Sequence, residues 1–486
     1  MKFPERDGIL IAILSFVFLA IRLPLSLILP LIRDEALYAV MIEEQKSAIT
    51  LVPTFLGHFV SWKPPLFFWI YLPFSYLPLP LELSYRLPSM ILGLLSLFIV
   101  FRLMKNLGIS SRLSFFSILF SLFSVHTIYP HATLLTDSLA FFFISLSLYL
   151  YTEKKLPEQR FLAAGLFAFS AFFVKLVIAF MIPVLAVVYF LINDRKTATR
   201  PIFLLSLLAV PLAFAAHYAL LESYNLAEEL YHSDVGGHLI SSTGALGQFE
   251  LLQTTVWALL VTGGMIWLAL ALFGFKSYWK ENPFMSAWFC FSAIPLISSA
   301  FLLWYYLPVM PAISYFAVKC LAVWKGREKY DAIFHVVFSF LSLALLAFAG
   351  LVFFILYDSF YMEREAGLLL SGKENVLVAG QYTPSVISYK VLPEMRGGKH
   401  IDFGWIVLPE NTSSDVLMEF INNYRAPRPN VTDGSFSSFF TSNNIFRKDT
   451  GISEFDYIVV SKYNDTLPGG HDLIYNRSSV LIYKVS

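Results

Sequence analysis

Apolar stretches of membrane-spanning length recur along this chain, at about 8–31, 86–105, 112–130, 136–152, 160–176, 177–192, 201–221, 250–275, 284–302, 304–323 and 332–357. A hydrocarbon core about 30 Å thick asks for roughly 20 apolar residues per helix. A soluble core cannot bury so many runs of that length, so the chain belongs in a bilayer. Composition agrees: 57% of the 486 residues are hydrophobic and 14% are charged, where a soluble domain carries about a quarter charged. The stretches at 160–176 and 177–192 are short, so their boundaries are soft. Segment 64–80 is also apolar, but Pro64, Pro65, Pro73, Pro78 and Pro80 interrupt it. Proline removes a backbone donor, and free backbone groups are costly in hydrocarbon. This segment is expected to lie at the interface. A net charge of +1 gives no field that would attract nucleic acid. Cys290 and Cys320 sit in apolar segments and read as buried thiols, not a disulfide.

Charge sets the orientation. Lys2 and Arg6; Arg102, Lys105 and Arg112; Lys154, Lys155 and Arg160; Arg195, Lys196 and Arg200; Lys276 and Lys280; and Lys325, Arg327 and Lys329 all fall on one side of an eleven-span arrangement. Loop 222–249 carries no Lys or Arg. The positive side is cytoplasmic, which puts the N-terminus inside and loops 32–85, 130–136 and 222–249 outside. Lys2 and Arg6 before an apolar run resemble a signal peptide, but no small-residue cleavage site follows, so the first helix reads as retained.

The expected fold is mainly α, a polytopic membrane helical bundle of about eleven spans with a small extracytoplasmic α/β domain at the C-terminal end. The division falls at Tyr357, giving a membrane domain over 1–357 and an outer domain over 358–486. After it the chain is polar, with short alternating runs at 375–379 and 457–460. Four N-x-[ST] sequons occur there, at Asn411, Asn430, Asn464 and Asn476, whereas none of the four earlier asparagines starts one. Sequons are usable only on an extracytoplasmic surface. No internal repeat suggests an inverted-repeat transporter.

The outer loops gather the reactive side chains. Arg33-Asp34-Glu35-Ala36-Leu37-Tyr38 follows the first span, and His58 and Trp62-Lys63-Pro64-Pro65 come after it. Adjacent carboxylates at a membrane surface are costly unless paired, hydrated or used. The structural alternative is that Asp34 caps a helix over 35–46. Asp137, preceded by Thr136, stands where the fourth span begins, and either residue could cap it. Trp304-Tyr305-Tyr306-Leu307-Pro308 marks the outer end of the tenth span, where a tyrosine is often only an interfacial anchor. Loop 222–249 offers His232, Asp234 and His238, the place where a divalent metal ion comes into consideration. Their spacing fits no standard site, and H-E-x-x-H is absent. Lys63 is fixed by two prolines at headgroup depth. A cation there suits a lipid phosphate, although plain snorkelling also accounts for it.

Taken in order, these pieces resemble membrane glycosyltransferases of the GT-C type, in particular the protein O-mannosyltransferase and lipid A aminoarabinose transferase group. The resemblance rests on Asp34-Glu35-Ala36-x-Tyr38, Phe55-Leu56-Gly57 followed by Lys63-Pro64-Pro65-Leu66, and Tyr85-Arg86-Leu87-Pro88-Ser89. Thr136-Asp137, Tyr305-x-Leu307-Pro308-x-x-Pro311, and Val378-x-Gly380 to Ser388-Tyr389 complete it. It implies a polyprenyl- or dolichyl-phosphate sugar donor, inverting transfer, and a protein, lipid or glycan acceptor. It implies that Asp34, with Glu35 beside it, supplies the catalytic base and that Asp137 shapes the site. It implies further that Lys63 and Tyr305, with Tyr38 and Arg86, hold the donor phosphate. The chain departs from the aminoarabinose enzymes at Leu37, Trp62 and Phe301, where they carry arginine, glutamate and lysine. A transporter is the rival from another class. Its signature would be charges inside the spans, and Lys175, Arg22 and His217 are the candidates, read from sequence as lacking acidic partners. Another GT-C branch, the oligosaccharyltransferases, would show a W-W-D motif that is missing here.

Overall fold

The computed structural model describes residues 5–31, 34–55, 58–60, 63–227, 264–291, 303–322, 328–372, 376–378, 389–390, 392–393, 395–396, 457–461, 472–477 and 480–484. In chain order the helices are α1 (Glu5–Ile28), α2 (Asp34–Ser47), α3 (Leu66–Ser75), α4 (Leu81–Asn106), α5 (Ser111–Leu122), α6 (Val125–Ala132), α7 (Thr136–Thr152) and α8 (Arg160–Phe172). A 3₁₀ turn at Val177–Phe180 leads into α9 (Met181–Asn193), α10 (Arg195–Ala198), α11 (Pro201–Leu207) and α12 (Ala209–Glu222). Then come α13 (Gly264–Tyr278), α14 (Pro283–Cys290), a 3₁₀ segment Leu303–Val309, α15 (Met310–Ala322) and α16 (Glu328–Leu369). Two compact units emerge. The first holds 1–28, 86–227 and 234–354, and the second holds 29–85, 228–233 and 355–486.

Among the described residues, three helices are long and apolar enough to cross a membrane: Arg6–Ile28, Leu81–Asn106 and Pro201–Glu222. A fourth arises if α5 and α6, bent by 71°, count as one. The segments expected to span at 160–176 and 177–192 become helices of 13 residues each, about 20 Å long at 1.5 Å per residue. In α1 one face is exposed and the other buried. Ile9, Ile13, Phe16, Leu23 and Leu27 are exposed, as lipid-facing residues should be, while Ile11, Leu14, Phe18, Arg22 and Ser26 are buried. Both cysteines are free as expected, but Cys290 is exposed and Cys320 half-buried, because an apolar helix in a bilayer can turn such faces outward.

The stretch expected as one span over 112–130 is broken. Ser124 caps α6 by accepting from the His126 N–H, and the chain turns sharply between Leu122 and Val125. A break inside a bundle strands carbonyls at the end of the first helix, and these must be satisfied within the protein. Arg22 does this: its Nη2 donates to the Leu122 carbonyl at 3.0 Å while its guanidinium lies 4.6 Å from the Phe18 ring centre. At the end of α6 the Ser26 hydroxyl donates to the Ala132 carbonyl at 3.0 Å, and the Thr133 hydroxyl to that of Tyr129 at 2.6 Å. The apparent stray cation of the first span therefore holds a helix end.

In the second unit α2 is almost wholly buried from Glu35 to Glu43. It packs on α3, where Tyr38 meets Phe67 and Phe68 edge-on at 5.5 and 6.0 Å. Between them a short antiparallel pair, β1 (Thr54–Phe55) and β2 (His58–Phe59), sets Thr54 opposite Phe59. The interfacial segment expected over 64–80 contains α3 and ends in turns, and α4 starts at Leu81, five residues before the expected span. The alternating tail runs form strands: β3 (Val376–Val378) pairs in parallel with β4 (Tyr457–Ser461), and β5 (Asp472–Arg477) and β6 (Val480–Lys484) complete a four-stranded sheet ordered β3-β4-β6-β5. The expected boundary at Tyr357 falls inside α16, which runs on for twelve more residues to Leu369. The first outer loop and the tail, assigned to one membrane face by charge and parity, pack together. Arg364 Nε donates to Glu82 Oε1 at 2.8 Å, and Arg396 Nη2 to the Leu77 carbonyl at 3.1 Å.

Candidate active site

Asp34 heads α2 as its first helical residue and is partly exposed, whereas its neighbour Glu35 is fully buried. Residues four apart share a helix face, with Cβ atoms about 5–6 Å apart, so Asp34 and Tyr38 lie side by side. Lys63 reaches the same patch: its Nζ stands 5.9 Å from the centre of the Tyr38 ring, within range of a cation–π attraction. Pro64 and Pro65 behind it are buried and Lys63 is half-buried. The fold thus sets the Lys63 ammonium near the Tyr38 phenol, on the helix that Asp34 begins. Further along α2 is a cluster that sequence reasoning missed. Glu43 accepts from the Tyr85 hydroxyl at 2.5 Å and pairs with Lys46 at 2.7 Å. Lys46 also donates to the Ser75 carbonyl at 3.4 Å, which ties α2 to α3 and α4. The three-residue spacing of Glu43 and Lys46 was the available signal.

The first unit carries a second group. Asp137 is not a helix cap; Leu135 holds that position in α7, without a side-chain cap bond. The buried Asp137 carboxylate takes Lys175 Nζ at 2.5 Å instead, and Nζ stands 4.1 Å from the centre of the Tyr305 ring. The reading of Lys175 as a cation without an acidic partner is therefore overturned. The pair joins the start of α7 to the turn after α8. Next to it, Ser138 donates to the Pro130 carbonyl at 2.6 Å and bonds His131 Nδ1 at 2.9 Å. Arg86 is fully buried and its Nη1 donates to the Ser26 carbonyl at 3.2 Å, so it braces α4 against α1. His217 packs against the rings of Phe172 and Phe173.

Removing one partner of a buried pair leaves the other charge uncompensated, at a cost of about 3–5 kcal/mol. Lys175→Met is therefore expected to lower the unfolding midpoint in detergent more than the double variant Lys175→Met/Asp137→Leu does. Equal shifts would show that the pair carries no coupling.

His232, Asp234 and His238 lie outside the described residues, as do Asn411, Asn430 and Asn464. Asn476 lies in β5, opposite Leu481 of β6. Among the described residues no group of three side chains could hold a metal ion.

Residues 62–219 match the family model of dolichyl-phosphate-mannose-protein mannosyltransferases. That range takes in Lys63, Arg86, Asp137 and Lys175. The whole chain is similar in fold to ArnT from Cupriavidus metallidurans bound to undecaprenyl phosphate, at 12% identity and a TM-score of 0.53 over 98% of this chain and 97% of that one. About a third of the chain is thus similar in sequence to that mannosyltransferase family, and the whole chain is similar in fold to ArnT. The apo state of the same ArnT aligns with this chain at 14% identity and a TM-score of 0.54, over 98% and 97% of the two chains. The Archaeoglobus fulgidus oligosaccharyltransferase tethered to an acceptor peptide aligns at 12% and 0.48, over 94% of this chain and 69% of its own. No curated protein matches the sequence.

Proposed function

We propose that this chain is an inverting glycosyltransferase that moves a sugar from a polyprenyl- or dolichyl-phosphate donor to an acceptor hydroxyl on the extracytoplasmic face. The observation that carries the reading is the Asp34–Tyr38–Lys63 patch. An attacking hydroxyl must lose its proton as it bonds to the anomeric carbon, and a carboxylate in reach can take it. The leaving group is a phosphate, so a neighbouring cation stabilises charge as it develops. Asp34 supplies the first function and Lys63 the second, with Tyr38 fixing where the ammonium rests. One displacement inverts the centre without a nucleophilic carboxylate, unlike the retaining hydrolases. Tyr305 and Arg86 as further phosphate contacts, and Asp137 as a shaping residue, belong to the same reading. The excess of Lys and Arg on the opposite loops supports a cytoplasmic N-terminus and an outer site. Against a transporter, Arg22 and Lys175 both have structural partners.

The test is transfer from a radiolabelled polyprenyl-phosphate sugar by purified protein. Lys63→Ala is expected to raise the donor KM about 10- to 100-fold, the loss of one charge-assisted hydrogen bond. An unchanged KM would remove the lysine from the donor site. Solute flux through proteoliposomes, with no transfer from any lipid-phosphate sugar, would replace the reading with the transporter.

A further inference from the structure

After α1 ends at Ile28, Leu29, Pro30 and Leu31 form neither helix nor strand. Buried backbone donors in such a connector need partners from elsewhere. The Leu31 N–H finds one 358 positions away: it donates to the hydroxyl of Tyr389 in the tail. The same hydroxyl donates to Glu82 Oε1 at 3.3 Å. A phenol has one proton to give, so Glu82 takes it and leaves the oxygen lone pairs facing Leu31. Glu82 is in turn held by Arg364 Nε at 2.8 Å, and that guanidinium lies 6.0 Å from the Tyr389 ring centre. Leu31 is fully buried, Tyr389 is 1% exposed and Glu82 is 8% exposed. Leu31 stands three residues before Asp34, so a chain of defined hydrogen bonds runs from α16 through Glu82 and Tyr389 to the backbone that delivers the carboxylate.

We infer that Tyr389 is a positioning residue for the transfer step: the tail sets the place of Asp34 through the Leu31 amide. This rests on the reading of Asp34 as the base. It gives the tail a role in turnover separate from acceptor binding or shielding. A displaced catalytic group can lose up to about 100-fold in rate. The hydroxyl holds one end of a short connector, so a smaller effect, about 10-fold in kcat, is expected when it is removed.

The experiment compares the full-length wild type with Tyr389→Phe, Glu82→Leu, Glu82→Gln and Asp34→Asn. Transfer from a labelled polyprenyl-phosphate sugar is measured, together with hydrogen–deuterium exchange over residues 29–38 and thermal unfolding. Tyr389→Phe keeps the buried ring and is expected to lower kcat about 10-fold, leave the donor KM unchanged and speed exchange at Leu31. Glu82→Leu should reproduce this, and Glu82→Gln, which keeps the acceptor oxygen, should recover most of it. Wild-type kcat or unchanged exchange in Tyr389→Phe would overturn the inference. So would a kcat loss that only follows the fraction of unfolded protein. Inactive Asp34→Asn beside fully active Tyr389→Phe would remove the role of the tail alone, whereas active Asp34→Asn would remove the base and this inference with it.

Discussion

Asp34→Asn is expected to lower kcat by about 100- to 10,000-fold, the range that a positioned general base contributes, while the donor still binds. The substitution keeps the shape of the side chain and removes its capacity to take a proton. Asparagine keeps the size of the side chain and gives up only a first-turn charge worth about 0.3–1 kcal/mol, and Asp34 is partly exposed at the head of α2, so folding should survive. Successive helical residues point about 100° apart, and the fully buried Glu35 cannot stand in for its neighbour without turning the helix. Single-turnover transfer from a labelled lipid-phosphate sugar separates the chemical step from binding. Turnover equal to wild type would end the assignment of Asp34 as base.

Gly274→Ala is expected to be the most damaging small substitution in the bundle. A Cβ at Gly274 would lie 1.9 Å from the Phe316 carbonyl oxygen and 2.7 Å from its carbon. Both are backbone atoms of α15, so no side-chain rotation relieves the clash, and α13 and α15 must move apart. That separation also opens the contact of Phe275 and Phe289 with the Phe316 ring, whose centre lies 5.4 and 5.5 Å from theirs. Overpacking costs about 1–3 kcal/mol and occasionally more, and a backbone clash belongs at the upper end. The unfolding midpoint in detergent should fall by roughly 3–5 °C. Because α15 continues the 3₁₀ segment that carries Tyr305, turnover should fall too. Gly350→Ala is the control: nothing lies within 4 Å of its added carbon, and alanine favours a helix. Indistinguishable midpoints for the two variants would contradict the close approach.

Local signals decided much of this protein. Hydropathy placed α1, α4 and the α11–α12 segment, because a helix in hydrocarbon needs only its own backbone bonds and apolar side chains. Spacing put Asp34 and Tyr38 on one face, and paired prolines marked the turn that aims Lys63. Alternation found β3 and β4 in the tail. Hydropathy cannot register the break at Ser124, since apolarity continues through it while hydroxyls and Arg22 close the helix ends. Nor could it give Lys175 to Asp137, Tyr389 to Leu31 or Phe316 to Gly274. Those partners lie tens to hundreds of positions apart, and a polar group or a glycine shows its use only once packing has chosen its neighbour. Sequence alone thus singled out the long apolar segments and the polar residues of the outer loops; the tertiary fold chose the partners that hold them, because a buried charge or backbone amide is satisfied by proximity in space.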